Sequence, residues 1–498
     1  MVTAAANSED ILSGLDRLYI GGEYVEAQLA PEPVIDPGTE EIFGYAPTAD
    51  ESHVAAAIAA ARRAFDEGPW PRYSPQERAE VLMRFHAGLV CQRDRLAHLL
   101  IREGGVIHAD AWSRQVDIPL KHLANNIQIA QQDFSRQVHP ELVAAGGKHV
   151  IGSALVQRIP VGVVAAISAY NYPTYLNLAK IGPALMAGNT VVLKPSPLTP
   201  FQALLLGQVA SEAGLPPGVL NIINGGATVG QSLCNDPGVD LISFTGSEQV
   251  GKQIAEIASR NLKRCLLELG GKSPLIVRAD ANLDAAAAAI LRGFTSHAGQ
   301  GCAMFTRAIV HNSVRERLVR QISQMAAAIE IGPPVALSTS MGPVISAAQR
   351  DRVATFVERA ADEQSAPVLG GQRPSHLSRG FFFEPTLFDN IDNRSEIAQE
   401  EIFGPVGVVI GFDDDAEAIA LANDSKYGLR AGVMSADTGR AFEMAQSLIA
   451  GQVLINGGAL TSLSDSPFGG LKQSGIGREN GAEGFLCYTE VRSIEYHA

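Results

Sequence analysis

Clusters of basic residues are absent from this chain: no run holds five or more Lys and Arg, and the formal net charge is −14. Such a surface repels phosphate backbones, so nucleic acid is not an expected partner. Cysteine is scarce. Cys91, Cys234, Cys265, Cys302 and Cys487 form no C-x-x-C pair, which excludes a disulfide framework and a cysteine-rich zinc site. The 11 histidines include no H-E-x-x-H and no other metal-ligand spacing, so no metal is expected. Long apolar runs are also missing; stretches such as Ala285–Leu291 fall far short of a membrane span. The segment Met1–Arg17 carries three acidic residues and no apolar run of leader length. A cytoplasmic protein without a membrane partner is expected.

What is present is the composition of an ordered globular chain: 46% hydrophobic and 18% charged residues over 498 positions. That length calls for two or three domains. The amino-terminal third reads as a polar hairpin-like stretch followed by helix. Over Glu51–Phe65, the residues Val54, Ile58, Ala61 and Phe65 recur with the period of one helical face, and Thr48 with Glu51 fits a capping box. Further helix is expected from Pro75 to Leu100 and from Asp117 to Gln131.

From Val161 the pattern changes to short β-branched apolar runs: Val161–Ser168, Thr190–Lys194, Val219–Ile223 and Leu241–Phe244. Helical segments lie between them, near Leu176–Met186, Phe201–Ala213 and Thr228–Asn235. This alternation is that of βαβ units, hence of a parallel sheet that takes ligands beyond the carboxyl ends of its strands. A second α/β pattern starts near Gly271, with strands at Pro274–Arg278 and Thr306–His311 and helices at Val314–Ile329 and Ala347–Asp362. The stretch Ser466–Arg478 is too glycine-dense for regular structure and must approach something closely. His139–Arg158 and Gly484–Tyr496 alternate as strands do, outside both patterns.

Several residues carry chemistry in this context. Asn224-Gly-Gly-Ala-Thr-Val-Gly230 follows a strand and precedes a helix, where backbone amides reach a phosphate, although a plain structural turn has the same appearance. Ser247, after Phe244-Thr-Gly, is a helix cap that either only caps or also faces a cofactor. Glu268 sits in the apolar Cys265-Leu-Leu-Glu-Leu-Gly-Gly271. It is either a general base with a raised pKa or a buried ion pair with Lys263 or Lys272. Cys302, in Gly299-Gln-Gly-Cys302, has the uncrowded flanks a nucleophile needs, whereas most free cysteines are small buried hydrophobes.

These pieces occur in one order, and that order resembles the aldehyde dehydrogenase superfamily over nearly the whole chain. The matches are Ala169-Tyr-Asn-Tyr-Pro173, Leu193-Lys-Pro-Ser196, Phe244-Thr-Gly-Ser247, Leu267-Glu-Leu-Gly-Gly-Lys-Ser-Pro274, Gly299-Gln-Gly-Cys302, Glu400-Glu-Ile-Phe-Gly-Pro405 and Ser466-Pro-Phe-Gly-Gly470. The resemblance implies an α/β fold with a Rossmann-like parallel-sheet cofactor domain (1–138, 159–270 and 472–485). It also implies a second α/β catalytic domain (271–471) and a small β oligomerisation element (139–158 and 486–498), hence a homodimer or homotetramer.

It further implies that Cys302 attacks the aldehyde, that Asn171 and the Cys302 N–H hold the oxyanion, and that hydride then passes to NAD(P). Glu268 activates the water that hydrolyses the thioester to the acid. Lys194, Ser196, Gly225, Gly230, Phe244, Gly246, Ser247, Leu269, Glu401 and Phe403 form the expected cofactor surface. NAD is expected, with NADP left open because Pro197 stands where many NAD-preferring members have Glu. The expected substrate pocket comprises Tyr172, Leu176, Ala179, Gly301, Ala303, Ser462 and Phe468. Ala179, Gly301 and Ala303 are small, so bulky apolar or aromatic aldehydes are expected over acetaldehyde and succinic semialdehyde. A CoA-acylating dehydrogenase, a cofactor-independent thiol esterase and a non-catalytic protein are the alternatives. Glu268 argues against the first, Lys194 and Glu401 against the second, and the joint presence of Cys302, Asn171 and Glu268 against the third.

Overall fold

A computed structural model describes residues 11–459 and 463–497 of the chain. Five parallel strands run in the order Leu220–Ile222, Thr190–Lys194, Val163–Ile167, Leu241–Thr245 and Arg264–Glu268. Every residue of the three central strands is buried. Helices cover both faces of a parallel sheet, so its strands read as near-continuous apolar runs rather than alternating ones. Leu18–Ile20 and Glu23–Val25 extend one edge of this sheet antiparallel, and Gly475–Ile476 the other. The strand order turns back between Val163–Ile167 and Leu241–Thr245, so the loops leaving their carboxyl ends diverge and open a crevice.

A second sheet is parallel throughout, in the order Thr386–Phe388, Val406–Phe412, Arg307–His311, Pro274–Val277, Arg430–Met434 and Gln452–Ile455. A third is antiparallel: the long strand Lys148–Pro160 pairs with Thr489–His497, Glu141–Ala145 and Arg136–Gln137. The architecture is therefore α/β, a Rossmann-like sheet beside a second α/β layer with a small β element. Among the described residues no helix is long and apolar enough to cross a membrane.

Local structure departs from the expectations at four places. Asp50, not Thr48, caps the helix Glu51–Asp66: its carboxylate accepts from the His53 amide at 3.0 Å while His53 reaches back to the Asp50 N–H. The helical stretch after Pro75 breaks at Gln92 into Pro75–Cys91 and Arg93–Gly104. Gly484–Leu486 belongs to a short helix, Gly481–Leu486, so the last strand starts only at Thr489. The glycine-dense stretch contains two short strands, Leu471–Lys472 and Gly475–Ile476.

Candidate active site

The loops leaving Val163–Ile167, Leu241–Thr245 and Arg264–Glu268 line a cavity of about 1560 Å³ together with Gly301–Met304, Glu400, Glu401, Phe403 and Arg430. Cys302 lies in its wall on a loop held at its base by Gln300. The Gln300 side chain is fully buried; it accepts from the Ile345 amide at 2.9 Å and donates to the His297 carbonyl at 3.1 Å. His297 and Ala298, just upstream, adopt left-handed backbone at φ 48° and 50°. Non-glycine residues hold such conformations only where the surroundings over-determine them, a feature of functional sites. Gly271 admits the loop, since a Cβ there would stand 2.6 Å from the Cys302 carbonyl oxygen.

Asn171 is 3% exposed, and its side-chain amide donates to the Gln300 carbonyl at 2.9 Å. An amide nitrogen has two hydrogens, so one is left for an oxyanion beside Cys302. Burial pushes the Cys302 thiol up to about 12, with Glu401 and Glu268 adding to the rise and Arg430 opposing it.

Glu268 ends its strand 2% exposed, and neither carboxylate oxygen has a hydrogen-bond partner. The ion pair with Lys263 or Lys272 is not formed: Lys263 donates to the Asp236 carbonyl instead. Burial, and then the negative Glu479, lifts the Glu268 pKa well above the ordinary carboxylate range against the pull of Lys180 and Arg478. Lys180 and Glu479 form an ion pair of 2.7 Å with side chains 0% and 1% exposed. The glycine-dense stretch closes on this group, and a Cβ at Gly469 would lie 2.7 Å from Glu268 Oε1.

On the cofactor side, Gly246, Ser247, Leu269, Glu401 and Phe403 line the cavity. Ser247 caps Glu248–Arg260 by accepting from the Val250 amide at 3.4 Å. Phe244 is buried and packs so closely on Gly246 that any Cβ there would collide with its ring. Glu401 accepts from the Gly271 amide at 3.0 Å, and burial lifts its carboxyl to about 7. Phe403 meets Tyr170 edge-on with ring centres 5.9 Å apart.

Lys194, Ser196, Gly225 and Gly230 lie outside the cavity wall, at or beyond the carboxyl ends of the neighbouring strands Thr190–Lys194 and Leu220–Ile222. Lys194 is only 6% exposed, not a surface lysine, and its ammonium donates to one carbonyl, Pro195, at 3.2 Å. Burial draws its pKa down to about 8. An ammonium with two donors to spare beside Gly230 fits a ligand rich in hydroxyl acceptors.

Of the expected pocket residues, Tyr172, Leu176, Gly301, Ala303 and Phe468 line the cavity. Ala179 is buried on the helix Pro173–Met186 and does not line it. Ser462 lies outside the described residues. Gln300, Lys180, Glu479, Tyr175 and Arg430 were not singled out in the sequence, although Tyr175 and Arg430 line the cavity. The first lay inside a quoted motif, and Arg430, a lone charge opening the apolar strand Arg430–Met434, was a visible signal. Lys180 and Glu479 are 299 residues apart and carry no local mark.

A family model described as "Aldehyde dehydrogenase family" matches residues 24–494. Betaine aldehyde dehydrogenase of Brucella suis is 38% identical over 484 residues, covering 96% of each chain. Aldehyde dehydrogenase 1A1 of Rattus norvegicus is 37% identical over 486 residues, covering 96% of this chain and 94% of its own. The crystal structure of betaine aldehyde dehydrogenase from Staphylococcus aureus in complex with NAD+ superposes with a TM-score of 0.94 at 34% identity, covering 99% of this chain and 97% of that one. The chain belongs to the aldehyde dehydrogenase family and is an NAD(P)-dependent oxidoreductase of it.

Proposed function

We propose that this enzyme oxidises a bulky aldehyde to its carboxylic acid through a thiohemiacetal and then a thioester on Cys302. The observation that carries the reading is the convergence of Cys302, the spare amide hydrogen of Asn171 and the unpartnered carboxyl of Glu268 on one cavity. Cys302, as the thiolate once its proton has passed to solvent, bonds through Sγ to the aldehyde carbon, and the carbonyl oxygen takes the electron pair, facing the Asn171 amide and the Cys302 N–H. When bound at this site, oxidised nicotinamide supplies a cationic ring that favours the thiolate and accepts hydride from the thiohemiacetal carbon. Glu268 then takes a proton from water, whose oxygen attacks the thioester carbon; the thiolate leaves and the acid forms. The buried, unpartnered carboxyl of Glu268 on the cavity wall supports the non-acylating course, in which water takes up the acyl group.

Lys194 would hold the adenosine-ribose hydroxyls, Gly246 and Ser247 the pyrophosphate, and Glu401 the nicotinamide ribose, with Ser196, Gly225, Gly230, Phe244, Leu269 and Phe403 shaping the surface. NAD is the cofactor of choice; NADP stays open because Pro197 places no carboxylate against a 2′-phosphate. The division into 1–138, 159–270 and 472–485 for cofactor, 271–471 for catalysis, and 139–158 with 486–498 for assembly belongs to the same reading. Tyr172, Leu176 and Phe468 favour an apolar or aromatic body over acetaldehyde and succinic semialdehyde. The five unpaired cysteines support a reducing, cytoplasmic location.

Absorbance of reduced cofactor over an aldehyde panel, with NAD+ and NADP+ in parallel, tests this. Aromatic aldehydes should give the highest kcat/KM, and comparable or better kcat/KM on succinic semialdehyde would refute the substrate class.

A further inference from the structure

Arg430 opens the strand Arg430–Met434, lines the cavity, and is held only by neutral groups. Its Nε donates to Gln452 Oε1 at 2.8 Å, from the residue that faces it in register on the neighbouring strand. Nη1 reaches the carbonyl of Ala303, next to the nucleophile, at 3.4 Å, and the guanidinium lies 5.8 Å from the centre of the Phe468 ring. No carboxylate pairs with it among the described residues, and Nη2 makes no hydrogen bond there. Arg114, another of the arginines lining the cavity, is paired with Asp110 at 3.2 Å.

A half-buried guanidinium on a cavity wall without a countercharge is stabilised when a ligand brings the charge. Gln452 and Phe468 fix the fork's direction without consuming its outer face, which suits two-point binding of a carboxylate. The same charge repels a quaternary ammonium, the group borne by betaine aldehyde.

We propose that Arg430 is a specificity-determining residue that receives a carboxylate on the body of the aldehyde, so that the preferred substrate is a bulky, typically aromatic, aldehyde acid. This rests on the aldehyde-oxidising reading above and names its substrate class more narrowly.

The test compares kcat/KM of the full-length enzyme with NAD+ on benzaldehyde, 3- and 4-carboxybenzaldehyde and 4-(trimethylammonio)benzaldehyde. At least one carboxylate should exceed benzaldehyde tenfold or more, and the cation should fall below it. Arg430→Gln and Arg430→Met should each bring the carboxylate-to-neutral ratio to within about threefold of one, while Arg430→Lys retains part of it. The unsubstituted enzyme decides the ranking even if a variant fails to fold. Benzaldehyde turned over as well as both carboxylates, or a ratio unchanged in the variants, overturns the proposal and leaves the aldehyde-oxidising reading intact. Absence of turnover on every member would overturn both.

Discussion

Replacing Glu268 by Gln keeps the shape of the side chain in a site where a Cβ on Gly469 would already press on it at 2.7 Å, and removes only the proton acceptor. A positioned general base contributes roughly 10²–10⁴-fold, or about 3–5 kcal/mol of barrier. Water attack on the thioester should slow by that factor, while the earlier hydride step, which needs Cys302 and Asn171, continues. Stopped-flow absorbance should then show a burst approaching one reduced cofactor per site, followed by a slow steady state. Only the carboxylate form accepts a proton, so burial that lifts the Glu268 pKa moves the acid limb of activity to higher pH. Deacylation should therefore rise with pH through the lifted value in the native enzyme, and that limb should vanish in Glu268→Gln. Full steady-state turnover, or loss of the burst along with the steady state, would refute the assignment.

Three further outcomes follow from the geometry. Lys180→Met strands Glu479 as an uncompensated buried carboxylate, costing about 3–5 kcal/mol, so thermal melting should fall and the added Glu479→Gln should restore most of it; an unchanged melting temperature contradicts the pair. Gly271→Ala brings a Cβ against the Cys302 carbonyl and should cut kcat/KM about 10²-fold on every aldehyde through misplacement of the nucleophile, which a kinetic panel checks. Ile494 is 43% exposed on the strand Thr489–His497, the free edge of the third sheet. Sedimentation should find a dimer or tetramer that Ile494→Arg shifts to smaller species, and a monomeric native enzyme would remove the assembly proposal.

Much of the first sheet was legible because burial on both faces leaves a strong local mark. Thr190–Lys194 has the same bounds in sequence and structure. Boundaries failed where local chemistry has substitutes: Asp50 with His53 fills the capping box that Thr48 and Glu51 also fit on spacing. The six-residue helix Gly481–Leu486 is too short for a 3.6-residue period to declare itself against a following strand. In the site, Cys302, Glu268 and Asn171 were found through motifs, whereas Lys180 and Glu479 meet only because the chain returns to Glu268 at its far end. Ala179 shows the limit of reading a pocket by position: being small decides what space it leaves, not whether it borders that space.

The proposed chemistry rests on Cys302 as the nucleophile. Purified Cys302→Ala, folded by circular dichroism, should produce no aldehyde-dependent reduced cofactor with any aldehyde the native enzyme oxidises, under NAD+ or NADP+. Retained turnover with any of them would rule out Cys302 as the nucleophile.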